Sequence, residues 1–243
     1  MKLAGKVALV TGGAIRIGRA LSLALAREGI RVAIHFGRSA AEAEETAAGI
    51  RAIGGNALTV QADLSRLGAG QAAELVTRAA ALGPLDFLVN NAAIFEAGSV
   101  ADTTEESWDR HFAINLKAPF FLSQAFAVHI GRSRPAHIVN IADGRAARPF
   151  PYHLAYGLTK AALIAMTRSM ARALAPNIQV NGIAPGSILP PPCKDKAYLD
   201  RWKRSTPMGR YGSPEDVAKT LVFLLAADFV TGELISVTGG EYL

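Results

Sequence analysis

The stretch "TGGAIRIG" at residues 11–18 follows the apolar run "KVALV" and opens a segment rich in alanine and leucine. A glycine-rich turn between a strand and a helix lets backbone fold tightly and come close to a phosphate. The helix amino terminus adds free N–H groups and a positive dipole for the anion. Gly12 and Gly18 suit that role, while Arg16 stands between them where this kind of turn ordinarily carries another glycine. The turn predicts a dinucleotide site and poses a question: what does an arginine do in it?

Outward from this turn, short β-branched runs alternate with helix-forming segments. In order they are "KVALVTG", residues 17–29, "RVAIHF", 40–53, "ALTVQAD", 70–82 and "LDFLVNNA". The second half continues with 104–130, "AHIVNIAD", 155–175, "IQVNGIAPG", 214–225 and "ELISVTGG". Nearly continuous apolar strands joined by crossover helices belong to a parallel sheet covered on both faces, whose ligands sit at the carboxyl ends of the strands. The expected fold is therefore α/β, a doubly wound parallel sheet of the Rossmann type. With 243 residues, half of them hydrophobic, residues 1–243 are read as a single domain. One segment, 187–213, is irregular and rich in proline and charge, and is read as a substrate loop.

The lone Cys193 excludes an intramolecular disulfide, and the N-terminal residues lack the apolar core and cleavage site of a signal peptide. The most apolar stretch, 217–230, is broken by Lys219 and Asp228, short of the ~20 residues that a membrane span needs. A cytoplasmic protein without a membrane segment or a metal site is expected. The 26 Lys and Arg outnumber the 20 Asp and Glu, giving a net charge of +6, yet they are scattered. The densest patch, Arg201, Lys203 and Arg204, has no run of interleaved aromatics, which argues against nucleic acid and for an anionic small molecule.

The end of the second strand, "VAIHFGRSAAE", bears on which small molecule. Sites that prefer NAD end this strand in an acid for the ribose 2′-hydroxyl, whereas NADP sites offer cations and hydroxyls to the 2′-phosphate. Here His35, Arg38 and Ser39 stand in place of an acid; Arg38 suits phosphate oxygens and Ser39 the start of the next helix. NADPH is the expected cofactor. Further on, "YHLAYGLTKAAL" places Tyr156 and Lys160 four apart on one helix face, where an ammonium lowers the phenol pKa and holds a ribose hydroxyl, an arrangement for proton transfer to a substrate.

Taken together, these stretches resemble the short-chain dehydrogenase/reductase family over nearly the whole chain. The matching residues are the 11–18 turn, Ala62 and Asp63 after the third strand, "NNAA" at 90–93, Asn115, Tyr156 with Lys160, and "APG" at 184–186. The resemblance implies that Asp63 faces the adenine, that Asn91 and Ala92 line the cofactor, and that Pro185 and Gly186 edge the nicotinamide. It adds Ile17, Leu64 and Ser187 to the cofactor-lining set. It also implies that Asn115 supports a proton relay through Lys160, and that the chain assembles as a homotetramer through the helices at 104–130 and 155–175.

Two departures narrow the resemblance. Thirteen residues before the tyrosine the family carries a serine that holds the substrate carbonyl, but this chain has Asp143. A carboxylate is a poor partner for a ketone oxygen and a good acceptor from ring N–H and amino groups. Aspartate here, Arg16 in the turn and a histidine followed by Arg-Ser after the second strand all resemble the pteridine reductase branch. By that resemblance Phe95 stacks on the pterin opposite the nicotinamide, Arg16 touches cofactor phosphate and pterin edge together, and Asp143 orients Tyr156 or the pterin. The expected activity is NADPH-dependent reduction of a pterin, dihydropterin or dihydrofolate, with Tyr156 as proton donor. Two alternatives stay open: another NADPH-dependent carbonyl reductase of the family, of 3-oxoacyl or sugar type, and a non-catalytic NADPH-binding regulator.

Overall fold

The computed structural model describes residues 1–131, 134–147, 151–189, 200, 203–204 and 206–243. Cys193, Arg201 and the rest of residues 190–199, 201–202 and 205 of the expected substrate loop lie outside the described residues. Seven strands form one parallel sheet: β1 (Val7–Val10), β2 (Arg31–Phe36), β3 (Ala57–Gln61), β4 (Phe87–Asn90), β5 (Ala136–Ile141), β6 (Ile178–Pro185) and β7 (Leu234–Val237). Their order across the sheet is β3-β2-β1-β4-β5-β6-β7, so the winding reverses between β1 and β4. In an open α/β sheet that reversal opens the crevice in which ligands bind. The expected doubly wound fold is thus the observed one.

Strand side chains alternate between two cores. On β1, Ala8 and Val10 enter one core with Leu21 and Leu25 of α1 (Arg16–Arg27), Ile50 of α2 (Ala40–Ala52) and Leu221 of the C-terminal helix Pro214–Ala226. Val7 and Leu9 enter the other, with Leu75 of α3 (Ala69–Ala79), and with Leu122 and Phe126 of the helix Ala118–Ile130. Helices therefore cover both faces, which is why these strands read as nearly unbroken apolar runs.

The predicted helix at 104–130 is one rod in two parts. Thr104 caps α4 (Glu105–Phe112) by accepting from the Ser107 N–H at 3.2 Å, and a wide π-turn, Ala113–Lys117, then leads into α5 (Ala118–Ile130). The predicted helix at 155–175 is α6 (Leu154–Leu174). In α7 (Pro214–Ala226) Ser213 and Asp216 cap each other, and Pro214 occupies the first turn, where its missing N–H costs nothing. Among the described residues no helix is long and apolar enough to cross a membrane.

His137 on β5 is 1 % exposed, packs edge-on to Phe87 at 5.7 Å, and neither ring nitrogen has a hydrogen-bond partner among the described residues. Burial pulls its pKa down to about 4. The unfolded chain, with an ordinary histidine, takes up this proton first as pH falls. The stability that neutral His137 contributes is therefore full above about pH 6.5 and lost towards pH 4, on the order of 3 kcal/mol for a shift of this size. We expect His137→Leu to flatten the acid limb of stability, measured by urea unfolding between pH 7 and 4; an unchanged limb would assign that loss to other groups.

Candidate functional site

At the carboxyl edge of the sheet, the turns after β1, β2, β3 and β4 surround a cleft of about 800 Å³. Two glycines permit its narrow floor. Gly12 has φ +60°, and a Cβ on it would lie 3.1 Å from Ala92 Cα; a Cβ on Gly18 would lie 1.9 Å from the Gly12 carbonyl oxygen and 2.7 Å from Asn91 Nδ2. No side chain larger than hydrogen fits at position 18. From the β4 side, Asn91 Nδ2 donates to the carbonyls of Thr11 (2.9 Å) and Gly12 (3.1 Å), and the amides of Asn91 and Ala92 donate to Thr11 Oγ1 at 2.9 and 3.0 Å. Asn91 acts here on the turn itself, through its amide.

Arg16 opens α1 with φ +52°, the one left-handed non-glycine residue among the described residues. This backbone costs an L-residue about 1–2 kcal/mol. Its side chain is exposed and lines the cleft beside Ile17. The arginine thus keeps the left-handed bend that a glycine would make and adds a cation at the cleft wall.

His35 lines the cleft and also braces its first turn. It is 2 % exposed, its Nδ1 accepts the Gly12 N–H at 3.2 Å, and its Nε2 faces the Ala62 carbonyl at 3.2 Å. Burial holds its pKa down at about 4, so the ring is neutral and braces the turn; it offers no cation to a phosphate. Arg38 is exposed at the cleft wall, and Ser39 precedes α2 without its hydroxyl capping the helix. After β3, Asp63 Oδ1 accepts from the Ser65 N–H (2.9 Å) and hydroxyl (2.7 Å), bonds that hold its carboxyl below the ordinary range. Leu64 is buried beneath it and also lines the cleft.

Phe95 lies outside the cleft lining, against the start of α6. The Gly98 N–H donates to the Tyr152 carbonyl and the Leu154 N–H to the Gly98 carbonyl, at 3.0 and 2.9 Å, which latches this loop to the start of α6. The Phe95 ring stacks on His153 at 3.9 Å, meets the Tyr156 ring edge-on at 4.7 Å, and stays 50 % exposed. Tyr156 donates its hydroxyl to Asp143 Oδ2 at 2.7 Å, and Lys160 Nζ donates to the Ile141 carbonyl at 2.6 Å, 5.7 Å from the Tyr156 ring centre.

These contacts reverse the expected effect on Tyr156. Burial first, and then the Asp143 carboxylate, push the phenol pKa well above its usual value, with Arg145 opposing. Burial also brings the Lys160 ammonium down to about 8, with Asp143 opposing. The site therefore holds Tyr156 as a protonated donor. Asn115, buried in the π-turn, is bonded elsewhere than to Lys160. Its Oδ1 accepts from the Ile94 N–H at 2.9 Å, and its Nδ2 donates to the Ile94 carbonyl (3.0 Å) and to Thr159 Oγ1 (3.2 Å).

β6 ends at Pro185. The Gly186 N–H donates to the Val237 carbonyl at 3.0 Å, and Ser187 donates from its N–H and its hydroxyl to Glu241, both at 2.9 Å. Sequence reasoning missed Thr11, His153, Arg145, Glu241 and Tyr242. Thr11 lay inside the quoted turn, and Arg145 and His153 lie two and three residues from Asp143 and Tyr156, so these could have been found; Glu241 and Tyr242 become neighbours of the site only through contacts distant along the chain.

The donor set suits a dinucleotide: a cradle that any Cβ would fill, a helix start facing it, and Arg16 and Arg38 at its wall. Comparison with known proteins gives a consistent picture. Residues 13–241 match the family described as enoyl-(acyl carrier protein) reductase. The chain is similar to the crystal structure of FolM alternative dihydrofolate reductase 1 from Brucella canis complexed with NADP. The identity is 38 %, the TM-score 0.92, and the match covers 99 % of this chain and 95 % of that one. It is 37 % identical to an uncharacterized oxidoreductase of Methylorubrum extorquens, over 98 % of each chain. It is 35 % identical to 3-oxoacyl-[acyl-carrier-protein] reductase FabG of Staphylococcus aureus, again over 98 % of each.

Asp143→Asn keeps an acceptor for Tyr156 and removes the charge. The phenol should then ionise at lower pH than in the wild type, read as tyrosinate absorbance in an alkaline titration and isolated by subtracting Tyr156→Phe controls. An unmoved transition would show that burial alone sets this phenol.

Proposed function

We propose that this chain, which belongs to the short-chain dehydrogenase/reductase family, reduces a pterin or a dihydropterin. It is an NADP-dependent oxidoreductase. The observation that carries the pterin reading is the Asp143–Tyr156 hydrogen bond beside the half-exposed Phe95 ring, where the family's serine would stand. A carboxylate there accepts from the N–H and amino groups of a nitrogen heterocycle, and the open face of Phe95 offers a flat ring a stacking surface. The similar FolM protein, an alternative dihydrofolate reductase, supports the same substrate class.

The cofactor, when bound, supplies the hydride. Tyr156 gives its proton to a ring nitrogen, and Asp143 aims the phenol and accepts from the substrate edge. Lys160 sits under the phenol ring as a cation that can reach a ribose hydroxyl. Arg38 and Ser39 take the 2′-phosphate; Arg16 spans cofactor phosphate and pterin edge. Asp63 and Leu64 line the adenine side, and Asn91 and Ala92 the middle of the cofactor. Pro185, Gly186 and Ser187 edge the nicotinamide, and Asn115 fixes the loop that carries Phe95. A second reading, a 3-oxoacyl reductase, is favoured by the identity to FabG. We further propose a homotetramer assembled through α5 and α6, which leave Phe120 and Leu158 exposed.

The deciding experiment is NADPH oxidation by the purified protein with dihydrobiopterin, dihydromonapterin and dihydrofolate against a panel of ketones and 3-oxoacyl thioesters. Brisk ketone reduction without pterin turnover would overturn the pterin reading. Asp143→Ser should lower pterin kcat about tenfold to a hundredfold, the cost of one charge-assisted hydrogen bond. Phe95→Ala should chiefly raise the pterin KM, with NADPH affinity nearly unchanged.

The cofactor preference has its own test. Arg38→Ala should weaken NADPH binding about tenfold or more and leave NADH nearly unaffected, since only the 2′-phosphate contact is lost. Equal wild-type affinities for the two cofactors, measured by fluorescence titration, would contradict this.

A further inference from the structure

The last residues of the chain return to the catalytic turn. After β7 the backbone bends through Gly239 and Gly240, φ +61° and +84°, and lays two side chains on two loops. Glu241 takes the amide and hydroxyl of Ser187, fixing the turn after β6. Tyr242 covers the turn after β5: a Cβ on Gly144 would lie 2.5 Å from Tyr242 Cε2, so the ring lies directly on that backbone. The Tyr242 hydroxyl accepts from Arg145 Nε at 3.1 Å, and the Arg145 N–H donates to Asp143 Oδ1 at 2.7 Å. Asp143 Oδ2 holds the Tyr156 hydroxyl. One connected series of contacts thus runs from the penultimate residue of the chain to the reacting phenol.

We propose that Arg145, held by the C-terminal Tyr242, is a positioning residue that offsets the negative charge arising on the Asp143–Tyr156 pair during proton donation. The inference rests on the reading of Tyr156 as proton donor. In that step the Tyr156 O–H bond breaks and a bond to hydrogen forms on the substrate atom. The electron pair stays on the phenolate oxygen, and solvent later returns the proton. A phenolate next to a carboxylate in a buried site is a like-charge pair, which is costly unless a cation stands by. Among the described residues two cations act on the pair. Lys160 is bonded to the Ile141 carbonyl on the β5 side and feels the Asp143 charge. Arg145, two residues from Asp143, has its Nε held by the Tyr242 hydroxyl, and its charge acts on both Asp143 and Tyr156. The sequence around Asp143 gives no sign of this arrangement, because its second half comes from almost a hundred residues away.

Three variants test it: Arg145→Met removes the charge, Arg145→Lys keeps the charge and loses the Nε–H, and Tyr242→Phe removes only the anchoring hydroxyl. Each is assayed for NADPH-dependent turnover of dihydrobiopterin, or of whichever ketone the wild type reduces, with kcat, KM and the solvent deuterium isotope effect on kcat. Cofactor Kd by fluorescence and the unfolding midpoint are measured alongside. Arg145→Met should lower kcat about tenfold to a hundredfold, the usual range for losing one preorganised charge at a developing anion. Its isotope effect should rise as proton transfer becomes more rate-limiting, while cofactor Kd stays within about twofold, a change that is small in binding free energy. Arg145→Lys should recover most of kcat, and Tyr242→Phe should fall between. A loss of kcat in Arg145→Met with an unchanged isotope effect, or equal losses in Met and Lys, would overturn the inference in favour of simple packing. An active Tyr156→Phe, or a wild type inactive on every substrate, would instead remove the proton-donor reading on which it rests. An inactive Tyr156→Phe beside a fully active Arg145→Met would sink this inference alone.

Discussion

The site depends on how closely two pieces of backbone meet where the sheet reverses its winding. The turn after β1 and the end of β4 approach until a Cβ on Gly12 would lie 3.1 Å from Ala92 Cα and one on Gly18 2.7 Å from Asn91 Nδ2, and Asn91, Ala92 and Thr11 stitch the two together with four hydrogen bonds. That closeness fixes the floor of the cleft. His35 reinforces it from β2, spending both ring nitrogens on the turn after β1 and the end of β3. These bonds cost the folded chain little, since their partners would be buried and unsatisfied without them.

The chemistry is arranged around burial. Tyr156, Lys160 and Asn115 lie almost wholly inside the protein, where each neighbouring charge acts through little water. In that setting Asp143 accepts the Tyr156 hydroxyl and strengthens its hold on the proton. Burial makes Lys160 easier to deprotonate, yet at about 8 it remains mostly a cation near neutral pH. Because Phe95 is latched to the start of α6, its ring and the Tyr156 phenol are held by one short piece of backbone.

Much of this was legible in the sequence. The alternation of apolar strands and helical segments gave the fold, because burial on both sheet faces leaves a continuous apolar signature at every strand. Gly12, Gly18, Asp143, Tyr156 and Lys160 could be placed because each sits at a fixed offset within one local turn or one helix face. What stayed hidden was what each side chain bonds to. His35 has the sequence position of a phosphate ligand, but its neighbours on β3 and in the first turn decide that it is a neutral brace. The raised phenol of Tyr156 follows from burial and a carboxylate, neither of which four-residue spacing reveals. The meeting of Arg145 with Tyr242 was out of reach for the same reason: it depends on where β7 ends.

The wide turn Ala113–Lys117 has an effect on symmetry within its rod. One extra residue in a helix advances every later side chain by about 100° around the axis. The rod before the turn and the rod after it are therefore out of phase, although they share nearly one direction. Before the phase slip, α4 can address the loops around the cleft; after it, α5 can turn Leu122 and Phe126 to the core and leave Phe120 outside. Asn115 sits at the slip itself, where the distorted ladder lets its amide face inward to Ile94. A single-residue deletion there would straighten the helix and set its two halves to the same clock position, so that one of them would always face the wrong way.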